Sequence, residues 1–246
     1  MKDIGSYRKS YDKSELLEST IPEDPINLFN RWFHEVEDFG GVDEVNAMTV
    51  STIGLDGFPK SRVLLLKQYI YEGFIFYTNY NSEKGRAIAN NPNVCLSFYW
   101  HSLERQVIIK GIAVKTSENI SDGYFESRPT GSKLGAIVSN QSEVIPSRTV
   151  LEESLKQLEK DFEGKDIPRP KFWGGFLVRP VEVEFWQGRP NRLHDRIRYH
   201  FQEDYNWKIE RLAHKYFKKI RKILYLKQIC VFNRFYLFFK RQSLYF

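Results

Sequence analysis

"KSRVLLLKQYIYEGFIFYTNY", residues 60–80, decides the fold. Two runs of aliphatic and aromatic residues flank "YEG" at 71–73, and such residues suit a pleated, half-buried surface while the glycine marks a turn. The stretch therefore predicts a β-hairpin, one strand over 60–70 and the next over 73–80. "NAMTVSTI" (46–53) with the turn "GLDGFP" supplies a strand before it, and "NVCLSFYW" (93–100) and "RQVIIKGIAVK" (105–115) supply two after it. Strand character returns in "WGGFLVRPVEVEFWQ" (173–187), "RLHDRIRYHF" (192–201) and "YNWKIERLA" (205–213).

Helical patterns lie between these runs. In "DPINLFNRWFHEVEDFGG" (24–41), Ile26, Phe29, Phe33 and Val36 recur at steps of three and four, with Pro25 early and Gly40-Gly41 as a stop. "SEKGRAIANNP" (82–92) reads as a short helix capped by Ser82. Further helical segments are "SDGYFESRP" (121–129), "GSKLGAIVS" (131–139) and "TVLEESLKQLEKDFEG" (149–164). The expected class is α+β, with about seven strands in one antiparallel sheet curled into a barrel.

The chain has 246 residues, 41% hydrophobic and 15% aromatic, enough to close a sizeable core in one domain or at most two. Its N-terminus lacks the apolar stretch of a signal peptide, and no run reaches the ~18 apolar residues of a membrane span, so a cytoplasmic location is expected. Cys95 and Cys230 are far apart, and the five histidines show no metal-ligand spacing; no metal site is expected. Net charge is +6, but residues 215–246 hold nine Lys or Arg and no acid, leaving 28 bases against 31 acids in the first 214 residues. Any nucleic-acid or membrane-surface reading of the basic pI thus attaches to that extension alone.

"GRPNRLHDRIRY" (188–199) is a local exception, placing Arg189, Arg192, His194, Arg196 and Arg198 against one acid, Asp195. On a regular strand Arg192, His194, Arg196 and Arg198 share one face, and Leu193, Asp195, Ile197 and Tyr199 the other. Two readings stay open: an edge strand charged against aggregation, or a fork-rich surface for anions. Elsewhere Arg62 and Lys67 fall on opposite faces of a regular strand, or serve simply as its charged ends. Thr78, Ser82 and Lys84 gather at a helix N-terminus, where amides and dipole favour phosphate, though an ordinary N-cap explains them equally.

Taken together and in order, "SRVLLLK", "FYTNYNSEKG", "NNPNVCLSFYW", "LERQV", "YFESRPTGSKLGA", "SNQSEVI", "FWGGF", "EFWQGRPNRLHDR" and "WKIERLA" resemble the pyridoxine/pyridoxamine 5′-phosphate oxidase family, in register from about residue 7 to 213. The resemblance implies an FMN-binding split β-barrel and a homodimer with active sites between subunits. It also implies oxidation of pyridoxamine or pyridoxine 5′-phosphate to pyridoxal 5′-phosphate in vitamin B6 biosynthesis and salvage, by hydride transfer from C4′ to FMN and reoxidation by O2 to hydrogen peroxide.

By the same resemblance, FMN contacts fall on Arg62, Val63, Leu64, Leu65, Leu66, Lys67, Tyr77, Thr78, Glu83, Lys84, Gln106, Gln141, Ser142, Trp186 and Arg196. Substrate contacts fall on Arg8, Tyr11, Lys67, Tyr124, Arg128, Ser132, Arg192 and His194, with Arg192 and His194 nearest the chemistry. His194 is read as binding and orienting rather than as an obligatory base. Residues 1–20 would include a lid, and 21–214 the oxidase domain. Tyr124, Arg128 and Ser132 are spaced by four, as on one helical face; without the resemblance Tyr124 reads rather as core and Ser132 rather as a helix cap, and Trp186 equally as a core aromatic.

Two features depart from the family pattern. Glu83 stands beside Lys84 where the family often carries a second base, with Arg86 available in its place. The extension 215–246 reads either as a basic amphipathic membrane-surface helix in its first half or as a read-through without selected function; the second reading is preferred, since no helical period survives past Lys227.

Overall fold

In the computed structural model, which describes residues 1–213 of the 246, nine strands form one antiparallel sheet. They are β1 (Ala47–Ile53), β2 (Pro59–Leu65), β3 (Gln68–Ile70), β4 (Gly73–Asn79), β5 (Asn93–Trp100), β6 (Arg105–Lys115), β7 (Trp173–Gln187), β8 (Asp195–Phe201) and β9 (Trp207–Arg211). The helices are α1 (Pro25–Phe39), α2 (Glu83–Asn90), α3 (Glu118–Glu126), α4 (Thr130–Val138) and α5 (Arg148–Asp161). The basic extension 215–246 lies outside the described residues, and with it any membrane contact through that segment.

The sheet runs β2-β1-β5-β6-β7-β4-β3, and β8 and β9 branch from β7. The branching follows from the length of β7. Its first part, Trp173 to Val178, pairs with β4, whereas Glu182 to Gln187 pairs with β8. Pro180, which has no N–H to donate, falls at the change-over, and the facing strand β6 shifts register there between Lys110 and Gly111. One continuous strand thus serves two half-sheets and gives the curled, split barrel.

Helix α1 fills the concave side. Asp24 caps it by accepting the Ile26 N–H at 2.7 Å, and Phe29, Trp32 and Val36 are buried against Phe74, Phe98, Trp100 and Phe185. Each such side chain contributes about 1.5–3 kcal/mol on burial. Trp100 Nε1 donates to Val45 O at 2.9 Å, so this large ring carries no unmet donor into the core.

Three sequence expectations are corrected. The strand expected over 60–70 breaks after Leu65, and Lys67 N–H turns to Ile75 O at 2.9 Å, so nine strands form where about seven were expected and strand parity does not relate Lys67 to Arg62. Only Arg196 and Arg198 of the cationic run lie on strand β8; Arg192 belongs to a 3-10 turn, Pro190–Arg192, with left-handed φ of 57° at Asn191 and 62° at Arg192. That turn ends the two-residue alternation and leaves Leu193 exposed rather than in the core. Tyr124 and Arg128–Ser132 do not share one helix, because Pro129 separates α3 from α4.

Candidate active site

The site starts where β4 meets α2. Ser82 caps α2, its Oγ accepting the Gly85 N–H at 3.2 Å, and the next helical position but one points inward as Lys84. Gly85 is required because a Cβ there would lie 2.2 Å from Tyr80 O. Lys84 is 6% exposed, and its Nζ donates to Gln141 Oε1 at 2.7 Å, Thr78 Oγ1 at 3.2 Å and Ser82 Oγ at 3.4 Å, all neutral. Burial and, next, the positive charge of Arg62 bring its pKa down to about 8, with Glu83 opposing. Arg62 itself donates to Val50 O and Thr52 Oγ1. A buried lysine beside a guanidinium, without a bonded carboxylate, is a site prepared for an anion.

Glu83 turns away to Lys60, at 2.5 Å, while its backbone N–H donates to Ser142 Oγ at 3.2 Å; Ser142 has a left-handed φ of 80°. Arg86 is exposed.

In front of Lys84 opens a cavity of about 620 Å³. Leu64, Leu65, Lys67, Tyr77, Thr78 and Gln141 line one part, and Tyr124, Arg128 and Ser132 another. The two helices therefore converge on one space despite the break at Pro129. Tyr77 stacks on Tyr124 with ring centroids 3.9 Å apart, and Trp173 continues the stack 5.6 Å from Tyr77. Arg128 lies over the Trp173 ring at 4.6 Å, and its Nη1 is buried with no hydrogen-bond partner. Burial lowers its pKa. Trp173 was assigned no role by sequence, although "FWGGF" carried a signal: Gly174 and Gly175 follow it because a Cβ on either would meet Tyr80 or Thr116 within 2.6 Å.

Of the remaining candidates, Gln106, Trp186, Arg196, His194 and Tyr11 form a second cluster. Gln106, Trp186 and Arg196 are direct partners across β6, β7 and β8 and so share a sheet face. Arg196 is held by Glu184 through both carboxylate oxygens, at 2.7 and 3.0 Å, and Arg198 by Glu210. His194 Nδ1 accepts the Arg189 N–H at 3.0 Å, and its ring lies 4.7 Å from Trp186 and 5.7 Å from Tyr11. Arg192 and Arg8 are exposed, Val63 is exposed beyond the cavity, and Leu66 is buried in the core.

Residues 34–160 match the family model described as pyridoxamine 5′-phosphate oxidase, and 173–213 match the pyridoxine 5′-phosphate oxidase C-terminal dimerisation region. A pyridoxine/pyridoxamine 5′-phosphate oxidase of Flavobacterium psychrophilum is 78% identical over 213 residues, 87% of this chain and 100% of that protein. The chain belongs to the pyridoxine/pyridoxamine 5′-phosphate oxidase family. The family member of Christiangramia forsetii is 57% identical over 86% of this chain and 99% of that protein. Among solved structures, PhzG of Burkholderia lata 383, in complex with tetrahydrophenazine-1-carboxylic acid, superposes with TM-score 0.76 at 30% identity, covering 84% of this chain and all of that one. A pyridoxamine 5′-phosphate oxidase-related, FMN-binding protein of Nostoc punctiforme superposes with TM-score 0.61 at 14% identity over 76% of this chain and 96% of that one, a likeness of fold. The chain is thus an oxidoreductase built on the split barrel of this family.

Proposed function

We propose that this chain oxidises pyridoxamine or pyridoxine 5′-phosphate to pyridoxal 5′-phosphate with FMN, as a homodimer. The observation that carries the reading is one cavity with two anion positions: buried, carboxylate-free Lys84 behind Thr78 and Gln141, and the unpartnered Arg128 Nη1 beside Ser132. Two phosphorylated aromatic ligands need two such positions, since each charge-assisted bond contributes about 1.5–3 kcal/mol.

Lys84, Arg62, Thr78 and Gln141 are assigned to the phosphate of FMN. Arg128, Ser132 and Tyr124 are assigned to the phosphate of the substrate, and Arg192 and His194 to orienting its reacting end. FMN held by these residues would supply a two-electron acceptor for oxidation at C4′, with O2 taking the electrons as hydrogen peroxide; an amine substrate would leave as its imine, which water hydrolyses to the aldehyde and ammonia. The protein supplies position and charge. The stacked rings of Tyr77, Tyr124 and Trp173 keep one wall of the cavity apolar, and Arg128 stays charged there against the cost of burial.

The dimer assignment follows from β7. Trp173, in the cavity, and Trp186, in the second cluster, stand thirteen positions apart along it, a contour of about 43 Å at about 3.3 Å per residue. A strand this long sets its two ends apart, which favours a site completed across a subunit boundary. A second copy, joined through the region 173–213, brings Trp186, Arg192, His194 and Arg196 of one subunit to the cavity of the other.

The test is direct. The purified chain should be yellow, release FMN on denaturation, and produce peroxide and pyridoxal 5′-phosphate from pyridoxamine 5′-phosphate. A colourless protein that neither binds added FMN nor turns over this substrate would refute the proposal.

A further inference from the structure

Glu104, in the "LERQV" stretch at 103–107, takes no part in the assignments above. It is 1% exposed and holds a left-handed φ of 57°, uncommon for a residue other than glycine. Its Oε2 accepts the backbone N–H of Asp12 at 2.8 Å and of Lys13 at 3.1 Å, and Lys9 Nζ lies 3.1 Å from Oε1. A carboxylate this buried is costly unless its oxygens are met; the two amides hydrogen-bond to Oε2, the Lys9 ammonium meets Oε1 as an ion pair without hydrogen-bond alignment, and all three come from one short stretch of the N-terminal segment. Burial pushes its pKa up, but the Lys13 amide, the Lys9 ammonium and the Asp12 amide outweigh that and hold it below its ordinary value.

Tyr11 sits in the middle of that stretch. A Cβ on Gly188 would come within 2.8 Å of the Tyr11 Cβ and 3.0 Å of the Glu104 Cβ, so this glycine opens the space in which the two meet. Gly188 N–H is itself fixed on Glu104 O at 2.8 Å. Held there, the Tyr11 ring stands edge-on to Trp186 and to His194, 5.7 Å from each.

We infer that Glu104 is a positioning residue, whose buried carboxylate latches residues 9–13 so that Tyr11 is held against Trp186 and His194. Its effect on substrate rests on the proposed oxidase reading; the latch itself does not. A glutamine cannot replace it fully, since one oxygen would serve the two amides while its NH2 group faced the Lys9 ammonium.

The experiment has two readouts in the full-length chain. The first is trypsin cleavage after Lys9 and Lys13, followed by mass spectrometry. Glu104→Ala and Asp12→Pro, which removes the shorter amide bond from the segment's side, should each speed that cleavage at least about tenfold without new cuts in 17–213, because cleavage follows the population of the released segment. Glu104→Gln should fall between them and the wild type. Wild-type cleavage rates in both variants would overturn the latch. The second readout is a double-mutant cycle on KM for pyridoxamine 5′-phosphate. Glu104→Ala and Tyr11→Ala should each raise KM about tenfold, with kcat changed less, and the double variant should be no worse than Tyr11→Ala. Additive effects would show that Glu104 does not act through Tyr11. If Glu104→Ala does not fold, Asp12→Pro carries both readouts. If the wild type lacks oxidase activity, the functional reading fails while the cleavage rates still decide the latch.

Discussion

Lys84 Nζ stands 2.7 Å from Gln141 Oε1, and among the described residues it makes no ion pair. Its folded-state pKa, brought down from 10.5 to about 8 by burial and by Arg62, fixes a pH dependence. Below about pH 8 both folded and unfolded chains carry the proton, and the cost of burying the charge is fully present. Between about 8 and 10.5 the unfolded chain binds more protons, so stability of the flavin-free protein rises with pH. The full shift corresponds to about 3 kcal/mol. Burial raises the Cys95 thiol and several tyrosines, which opposes the gain equally in both proteins, so between pH 7 and pH 10 urea unfolding should change by about 3 kcal/mol more favourably in the wild type than in Lys84→Met. A bound phosphate reverses the sign by stabilising the ammonium, so FMN affinity should be level between about pH 7 and 8, fall above about pH 8 as the lysine deprotonates, and fall again below about pH 6 as the phosphate takes its second proton.

Arg128 offers a buried Nη1 without a partner, over the face of Trp173. On the proposed assignment this group meets the substrate phosphate, and Arg128→Ala should then raise KM for pyridoxamine 5′-phosphate about 10–100-fold. Flavin content should not change. Loss of flavin in step with KM would place Arg128 at the other phosphate.

Much of this site was legible because the signals are local. The α1 spacing, the Ser82 cap before Lys84 and the hairpin through 71–73 are each set by neighbours within a few positions. The grouping of Tyr124, Arg128 and Ser132 was also legible, but for the wrong reason: spacing by four suggested one helix, whereas two helices broken at Pro129 bring them to one cavity. What could not be read depends on residues distant in sequence. Strand parity failed before β8 because Asn191 and Arg192 adopt left-handed turns, and nothing near Glu104 reveals that its partners are the amides of Asp12 and Lys13.

On the proposed assignment Arg196 serves the flavin and Arg192 the substrate. Arg196 is about one-third exposed, and Glu184 aligns its fork. Lysine cannot reproduce that bidentate geometry, so Arg196→Lys should weaken flavin retention about tenfold. Arg192 is exposed and outside the strand, and Arg192→Ala should keep flavin while lowering turnover. Ultrafiltration followed by flavin absorbance, beside peroxide production, checks both. Equal flavin loss in the two variants would contradict the division.

Gly85 and Gly123 form a matched pair for the last prediction. Both are helical, but a Cβ on Gly85 would lie 2.2 Å from Tyr80 O and 2.5 Å from Tyr80 C, whereas Gly123 has nothing within 4 Å. Backbone cannot yield as a side chain does, so Gly85→Ala must displace the first turn of α2, with Lys84 beside it, at a cost of about 1–3 kcal/mol. Gly123→Ala, in α3, should instead stabilise by up to about 1 kcal/mol through helix propensity. Thermal unfolding of the two variants should move in opposite directions, and only Gly85→Ala should lose flavin. If Gly85→Ala kept both its stability and its flavin, the lysine would not depend on the tight entry into α2.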